Sequence, residues 1–270
     1  MDLPTRISES FQARVVRPWT LRHFDRTRWG RAIAGYRNRY AGRRCFLIGN
    51  GPSLRASDLT ALHRRGEICF GFNRIYHIFP ETPWRPDFYL CQDEKLLRGS
   101  LAEVRTLDLP VKFIPIEHRW YHDLSVKDAV YFHLIHQEQG TPEAYRFSEN
   151  PTKGLYNAST CLYSAAQLAV YMGFETLYLL GVDHRFHISQ DDRGRVTVDE
   201  AAKDYFTDAY NPDRASLNIP NLDRSTRTFQ AMGLHCDARG VSVYNATRGG
   251  CLEVFPRADL DALLTSLEEP

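Results

Sequence analysis

The chain has 270 residues, of which 43% are hydrophobic and 25% charged, and its formal net charge is +1. This composition is typical of a folded globular protein and excludes intrinsic disorder. No apolar run reaches the roughly 18 residues of a membrane span, and the N-terminus lacks a signal-peptide core, so we expect a cytoplasmic protein. The six cysteines stand singly, which favours reduced thiols over a disulfide framework or a zinc site.

The chain begins with a basic segment. Residues 1–44 carry eleven arginines, no lysine and three acids, and aromatic residues alternate with the arginines. The pattern predicts a basic, helical N-terminal arm over residues 1–41, ahead of one catalytic domain over residues 42–270. Such a helix either packs its apolar side on the domain or lies on an anionic membrane surface. No nucleic-acid-binding motif accompanies the charge, so nucleic acid is not an expected partner.

Six short apolar runs follow, separated by helical or polar stretches. Most are continuously hydrophobic, as expected of strands that helices cover on both faces. The order predicts an α/β fold with a Rossmann-like, doubly wound, mostly parallel sheet. The predicted strands span residues 44–49, 67–73, 87–93, 111–116, 176–183 and 241–245.

Three helices and one long polar segment complete the predicted elements. The clearest helix spans residues 159–174, and others are expected over residues 222–234 and 257–264. Residues 185–220 show no strong periodicity and are longer than an ordinary connection, so we expect a lid-like insertion that is partly helical.

The first predicted strand ends in a glycine-rich turn, with Gly49, Asn50 and Gly51 followed by Ser53. A dinucleotide fingerprint needs a third glycine where Leu54 stands, and the lysine of a P-loop is also absent. Two interpretations stay open. The backbone N–H groups of the turn face a phosphate or a ribose, or the glycines only let the chain leave the strand sharply.

Polar residues also end the other strands, and these ends meet at one edge of a parallel sheet. Asn73 follows the second strand, where an amide suits a base or a sugar better than a charge would. Asp93 and Asp183 could hold Mg²⁺, or each could cap the turn or helix that follows it. His184 is either a general base or phosphate partner, or a structural histidine.

Several motifs carry a family resemblance. The segments RCFLIGNGPSL, GFNRIY, PDFYLCQD, YMGFETLYLLGVDH and YNATRGGCLEVFPR together resemble the MptE-like (6-hydroxymethylpterin diphosphokinase-like) family of bacterial polysaccharide loci. The resemblance covers roughly residues 42–264. A more distant resemblance to the bacterial sialyltransferases of glycosyltransferase family 42 implies Asn50, Asn73 and Ser159 or Thr160 as contacts to a CMP-type nucleotide sugar.

The sequence departs from those sialyltransferases in the lid, where they take a histidine as general base. This chain has no histidine between His187 and His235, and its lid offers Asp204, Tyr205, Asp208 and Tyr210 instead. Where the sialyltransferases carry a tyrosine after the strand that ends in Asp183, this chain has His184 and Arg185. These differences leave the identity of the base open.

The expected function is a nucleotide-sugar-dependent glycosyl transfer in surface polysaccharide or glycoconjugate biosynthesis. In this prediction Gly49, Asn50, Gly51, Ser53, Asn73, Asp93, Ser159, Thr160 and Asp183 bind the nucleotide, and His184, Arg185, Asp204 and Tyr205 are catalytic. The expected partners are a nucleotide sugar, a saccharide or lipid-linked acceptor, and the inner face of the membrane through the arm. One alternative is a Mg²⁺-dependent diphosphokinase acting on a 6-hydroxymethylpterin-like alcohol, with Asp93 and Asp183 as metal ligands. Another is a non-catalytic nucleotide-binding protein, so the expected cofactor is either none or Mg²⁺.

Overall fold

A seven-stranded parallel sheet forms the centre of the protein in a computed structural model that describes residues 12–210 and 219–265. In spatial order its strands are β11, β8, β1, β2, β3, β4 and β5. Their bounds are β1 Arg44–Ile48, β2 Cys69–Phe72, β3 Phe88–Leu90, β4 Val111–Pro115, β5 Ala129–Phe132, β8 Thr176–Leu180 and β11 Ser242–Asn245. The strand order confirms the predicted doubly wound α/β fold.

The strand order reverses at the pair formed by β1 and β8. The chain runs outward from β1 to β5, and it then returns to place β8 on the other side of β1. In open α/β sheets this reversal leaves a crevice beyond the carboxyl ends of the two strands. The glycine-rich turn after β1 lies at this point.

Helices cover both faces of the sheet. They are α1 Arg17–Arg22, α2 Arg28–Ala34, α3 Ala56–Arg64, α4 Glu94–Gly99, α5 Leu101–Thr106, α6 Ile116–Tyr121, α7 Cys161–Met172, α8 Leu222–Asp237 and α9 Leu260–Thr265. Alternate residues of β1 serve two separate cores: Cys45 and Leu47 join one, and Phe46 and Ile48 join the other. This two-sided burial explains why the strand is hydrophobic throughout.

The predicted helices are present with shifted ends. Helix α7 begins after Thr160, whose hydroxyl accepts the Leu162 N–H at 3.3 Å. It ends at Gly173, whose φ of +89° is the left-handed conformation that glycine adopts at helix C-termini. Helix α8 runs to Asp237, three residues beyond its predicted end, and α9 begins at Leu260, three residues after its predicted start.

Five strands were not predicted. The edge strand β5 has only four residues, and His133 directly after it obscures its apolar pattern. Two small sheets pair β6 Leu134–Ile135 with β7 Leu155–Tyr156, and β9 Ile188–Gln190 with β10 Val196–Val198. The latter pair lies in the predicted lid, of which residues 211–218 fall outside the described residues.

The N-terminal arm is helical over most of its described length and packs on the domain. Gln12–Val16 form a π-helical turn that leads into α1, and Phe24–Arg26 form a 3₁₀ turn. Phe24 and Ile33 are fully buried, one in each core cluster. The first eleven residues of the predicted arm lie outside the described residues.

Two further features bear on the sequence predictions. All six cysteines are free thiols, as predicted, and four of them are buried. Among the described residues, no helix has both the length and the apolar content needed to cross a bilayer.

Candidate functional site

A cavity of about 900 Å³ opens at the carboxyl edge of the sheet, beyond β1, β2, β3 and β8. It is a suitable size for a small-molecule ligand. The lid segment, the starts of α7 and α8, and the residues just before α7 are among its other walls. Of the predicted site residues, it is lined by Gly49, Asn50, Gly51, Asn73, Asp93, Ser159, Thr160, Asp183, His184, Arg185, Asp204 and Tyr205.

The glycine-rich turn packs directly on the turn that follows β8. The Gly49 N–H donates to the Leu180 carbonyl at 2.7 Å, and the Gly51 N–H donates to the Gly181 carbonyl at 2.8 Å. A Cβ on Gly49 would lie 2.4 Å from the Gly181 oxygen, and a Cβ on Gly51 would lie 1.9 Å from Asp183 Oδ2. Both glycines are required because no side chain fits between the two turns.

The hydrogen bonds of the glycine-rich turn test the expectation that its backbone N–H groups face a phosphate. Besides the amides of Gly49 and Gly51, the Ser53 N–H donates to Asp183 at 3.3 Å and the Leu54 N–H donates to the Gly51 carbonyl at 3.1 Å. Four amides of the turn therefore already have protein acceptors. The idea that they face a phosphate is wrong for these four groups, because three of them donate to the end of β8 and the turn after it, and the fourth donates to the Gly51 carbonyl.

The two strand-end aspartates both hold local structure. Asp183 Oδ2 accepts the Ser53 hydroxyl at 2.8 Å, and burial raises the pKa of the Asp183 carboxyl. Asp93 Oδ1 accepts the Leu96 N–H at 2.9 Å and so caps α4. Ser53 is not among the cavity-lining residues, so its contribution is to hold Asp183. Among the described residues, no three His, Cys, Asp or Glu side chains cluster in a way that could hold a metal ion.

Two asparagine side chains line the cavity with an unpaired oxygen each. Asn50 Nδ2 donates to the Phe72 carbonyl at 3.1 Å, but its Oδ1 is buried and no protein donor among the described residues reaches it. The same is true of Asn73 Oδ1. A buried acceptor without a partner costs about 1–3 kcal/mol, so such groups call for an explanation.

The backbone at Asn73 is also unusual. Its φ of +53° is a conformation that few residues other than glycine and asparagine adopt. The surrounding structure holds it there, because the Tyr89 hydroxyl donates to the Asn73 carbonyl at 2.6 Å and the Asn73 N–H donates to the Leu90 carbonyl. Constrained backbone of this kind is concentrated at ligand sites.

His184 is oriented by helix α8. The Thr226 hydroxyl lies 2.8 Å from both the Leu222 carbonyl and His184 Nε2. When the hydroxyl donates to the carbonyl, its oxygen accepts from Nε2, and this arrangement favours the tautomer with the proton on Nε2 and the lone pair on Nδ1. Nδ1 has no protein partner among the described residues and is not sealed from solvent. Burial lowers the pKa of His184 below its ordinary 6.5, so the neutral ring prevails at pH 7.

The other three predicted catalytic residues are already engaged in contacts within the protein. Arg185 pairs with Asp199 at 2.8 Å, and Asp204 Oδ1 accepts the His187 N–H at 2.6 Å. The Tyr205 ring stacks on Tyr210, with centroids 3.9 Å apart, and burial raises the pKa of Tyr205 to about 12. A phenol with that pKa keeps its proton at neutral pH, which makes Tyr205 a poor general base.

The lid segment is fixed to the sheet edge by backbone contacts. The Phe206 N–H donates to the Asn50 carbonyl at 3.1 Å, and the Arg74 guanidinium donates to the Tyr210 carbonyl at 2.6 Å. These two bonds place the Tyr205 and Tyr210 rings beside the ends of β1 and β2. Aromatic faces at this position can stack on a base or a sugar.

The remaining walls include polar residues that were not predicted, among them two glutamines. Gln139 Oε1 accepts the hydroxyl of the predicted Ser159 at 2.6 Å, and the Gln92 side chain forms hydrogen bonds with Asn157 at 2.7 Å and Ser164 at 2.6 Å. Gln92 directly precedes Asp93 at the end of β3, so its strand-end position was a usable signal. Arg224 lines the cavity from the first turn of α8, where the sequence gives no comparable signal.

Solved structures with a similar chain path include three transferases. The MAf glycosyltransferase of Magnetospirillum magneticum AMB-1 matches 87% of this chain at 16% identity with a TM-score of 0.49, and this chain spans only 38% of that protein. The monofunctional α-2,3-sialyltransferase Cst-I of Campylobacter jejuni matches 81% of each chain at 14% identity and a TM-score of 0.47.

The third structure is the sialyltransferase CstII of Campylobacter jejuni in complex with a substrate analogue, cytidine-5′-monophosphate. It matches at 12% identity with a TM-score of 0.39, over 82% of this chain and 86% of the other. These likenesses are too distant to assign a function. No curated protein has a sequence that matches this chain significantly.

A sequence profile gives the family. The profile described as 6-hydroxymethylpterin diphosphokinase MptE-like matches residues 20–189, which is more than half of the chain. The matched region contains the glycine-rich turn, Asn73, the strand-end aspartates and His184. The protein therefore belongs to the MptE-like family.

Proposed function

We propose that the protein is a glycosyltransferase that uses a nucleotide-activated sugar, with a CMP-linked sugar as the donor and a saccharide or lipid-linked molecule as the acceptor. The process would be surface polysaccharide or glycoconjugate biosynthesis, as the sequence resemblance implies. The observation that carries this proposal is the pair of asparagines at the ends of β1 and β2, Asn50 and Asn73, which line the crevice and whose amide oxygens have no protein donor among the described residues. Both oxygens are closed to solvent, so in this proposal the side chains turn toward the ligand when it binds.

The two amide oxygens favour a ligand that brings hydrogen-bond donors. Ribose hydroxyls and the exocyclic amino group of cytosine are such donors, whereas an ionised phosphate offers only acceptors. The glycine-rich turn also disfavours a phosphate at this end of the cavity. Four of its backbone N–H groups already donate to protein acceptors, which leaves the turn with little capacity to bind a phosphate. A nucleoside or sugar moiety therefore suits this end of the cavity better than a phosphate chain does.

The charges of the cavity favour a donor with few phosphates. Three aspartates and two arginines line it, no lysine of the described residues does, and both arginines already face acids: Arg185 faces Asp199 and Arg224 faces Asp192. A nucleoside triphosphate would meet a mildly acidic wall. A CMP-linked sugar carries a single phosphate, so it meets less repulsion from this wall than a triphosphate does.

His184 is the group best prepared to act as general base. In the proposed step, an acceptor hydroxyl oxygen bonds to the anomeric carbon while the bond from that carbon to the phosphate oxygen breaks. The hydroxyl proton passes to His184 Nδ1, and CMP leaves with the bonding electron pair. Thr226 acts as a positioning residue, because it holds the ring with Nδ1 unprotonated.

The family name supports a second candidate, a diphosphokinase acting on a pterin-like alcohol. That reaction would need a cation such as Mg²⁺ to balance the phosphate charge. Asp93 and Asp183 line the cavity and would be the ligands, but one oxygen of each already holds an N–H or a hydroxyl group. Their engagement makes this candidate the weaker one.

Calorimetric titration with CMP, CDP, UDP, GDP and ATP, each with and without Mg²⁺, separates the candidates. The test variant is Asn73→Gly, which removes the amide but keeps the +53° φ easy to adopt. Asn38→Gly is the matched control, since Asn38 has a φ of +52° and is exposed outside the cavity.

We expect CMP to bind without metal and Asn73→Gly to weaken it roughly tenfold, as the loss of one hydrogen bond to a buried group predicts. ATP binding that requires Mg²⁺ would favour the diphosphokinase. No binding of any nucleotide would overturn both enzyme proposals. CMP binding without turnover of any CMP-sugar would leave a non-catalytic nucleotide-binding protein.

A further inference from the structure

The helical run at the start of the described arm leaves an apolar face in water. Val15 is 50% exposed and Trp19 is 60% exposed, although Trp19 is among the largest side chains in the protein. These two residues and Arg22 stand at positions i, i+4 and i+7, so they share one side of the helix. We call this surface the arm face.

The arm face is anchored from its other side. Leu21 packs against a core cluster, and Phe24 directly after the helix is fully buried. Thr27 caps α2 by accepting the Gly30 N–H at 3.0 Å, which fixes the chain just beyond Phe24. The exposure of Val15 and Trp19 is therefore built into a packed segment.

The charges around the arm face are unbalanced. Residues 12–43 contain nine arginines and one acid, Asp25. None of these arginines forms an ion pair within residues 12–210 and 219–265, whereas Arg44, next in the chain, pairs with Glu67. Most are exposed, so the arm presents a positive surface that the protein itself does not neutralise.

A second exposed aromatic residue contacts the arm helix, on the side where Arg17 lies. The Arg17 guanidinium lies 4.9 Å from the centre of the Tyr121 ring, at the end of α6, and Tyr121 is 50% exposed. Trp and Tyr with adjacent arginines are the combination that stabilises proteins at the boundary between lipid headgroups and acyl chains.

We propose that the arm face binds the surface of a bilayer that contains anionic lipids, with Trp19 and Val15 at the acyl boundary and the arginines among the headgroups. A protein partner fits less well, because the centre of a stable protein interface is depleted of charge, whereas this face includes Arg22 and the helical run also carries Arg14 and Arg17. A nucleic acid would use the arginines but would leave Val15 without a role.

The arm helix is linked to the crevice through α6. Arg17 of the arm helix contacts Tyr121, and His118, one turn before Tyr121 on α6, has its Nε2 at 2.7 Å from the carbonyl of Gln92, a residue that lines the cavity. The lipid contact itself does not depend on the proposed glycosyl transfer.

The test is co-sedimentation of the full chain with vesicles of phosphatidylcholine alone or with 30 mol% phosphatidylglycerol. One variant is Trp19→Ser. The other is the triple change Arg14→Gln, Arg22→Gln and Arg26→Gln, all at exposed positions. Matched controls are Leu234→Ser, at an apolar residue 48% exposed on α8, and the triple change Arg64→Gln, Arg98→Gln and Arg105→Gln, which removes the same charge elsewhere.

We expect the protein to bind the vesicles that contain phosphatidylglycerol and not those of phosphatidylcholine alone. Binding should shift the tryptophan emission to the blue, and Trp19→Ser should reduce that shift. The arm triple variant should weaken binding roughly 100-fold, as three headgroup-proximal arginines predict, and 1 M NaCl should abolish most of it. Trp19→Ser should weaken it roughly tenfold.

Equal binding by the arm variants and their controls would overturn the proposal. An absence of vesicle binding by the unchanged protein would also overturn it. If Trp19→Ser then changes the oligomeric state in solution, the arm face is a protein interface instead. Unchanged melting temperatures would show that the variants act on the surface and leave the fold intact.

Discussion

Gly51→Ala tests the packing between the glycine-rich turn and the end of β8. The new Cβ would lie 1.9 Å from Asp183 Oδ2 and 2.8 Å from the Gly181 oxygen, far inside contact distance. Asp183 would have to move, and it would lose the hydrogen bonds from the Ser53 hydroxyl at 2.8 Å and the Ser53 N–H at 3.3 Å.

The expected cost follows from those contacts. A hydrogen bond to a charged group contributes about 1.5–3 kcal/mol, so losing both lowers the free energy of unfolding by about 3 kcal/mol or more. For a protein of this size that corresponds to a fall in Tm of roughly 5–10 °C. The crevice wall would shift too, so nucleotide affinity should fall with stability.

Gly35→Ala is the control for this measurement. Gly35 has an ordinary helical φ of −65°, and a Cβ there would lie 3.4 Å from its nearest neighbour, the Ala32 oxygen. Substitution at such a site is neutral or stabilises by up to about 1 kcal/mol. Differential scanning calorimetry of both variants gives the comparison. A Gly51→Ala protein as stable as Gly35→Ala would refute the reasoning.

Two further predictions concern Arg248 and His184. Two nitrogens of Arg248 donate to the buried Asp58 carboxylate at 3.0 Å, so Arg248→Leu should lower the free energy of unfolding by about 2 kcal/mol. Arg98→Leu, which removes an exposed ion pair, is the control and should change it by less than about 1 kcal/mol. Equal effects of the two variants in urea unfolding would contradict this prediction. In ¹⁵N NMR at pH 7, His184 should show the tautomer protonated at Nε2 and should titrate below 6.5, because burial disfavours its charged form. Because a general base must be unprotonated, transfer activity should be lost as the pH falls through the pKa of His184. Thr226→Val should change the tautomer of the His184 ring, and an unchanged ¹⁵N NMR spectrum of His184 would contradict the role of Thr226.

The sequence predicted the part of the fold that depends on buried strands. Strands β1 and β8 are apolar at almost every position because cores lie on both sides, and this pattern is visible without a structure. The edge strand β5 was missed because its four residues run into His133. The lid pair, β9 and β10, has exposed residues at most positions and so carries no apolar pattern.

The site was predictable where residues end strands. Asn50, Asn73, Asp93 and His184 stand at or just after the ends of predicted strands, and all four line the cavity. Their partners were not predictable, because Thr226 lies 42 residues beyond His184 and reaches it only through the packing of α8. The same limit applies to the link between Ser53 and Asp183, which are 130 residues apart.

The occupied amides of the glycine-rich turn show a different limit. The sequence indicates a sharp turn with two glycines, but it does not show whether the N–H groups face a ligand or a neighbouring strand. The Gly181 carbonyl decides the matter by accepting the Gly51 N–H. In the proposed function the ligand-binding groups are side-chain amides, which a search for phosphate motifs cannot detect.

The most direct test of the account is a crystal structure of the protein with CMP. We predict that the nucleotide occupies the crevice between β1 and β8, with a ribose hydroxyl or the cytosine amino group within hydrogen-bonding distance of Asn73 Oδ1 or Asn50 Oδ1. CMP bound at another surface, or in the crevice with its phosphate against these two amide oxygens, would contradict the central claim.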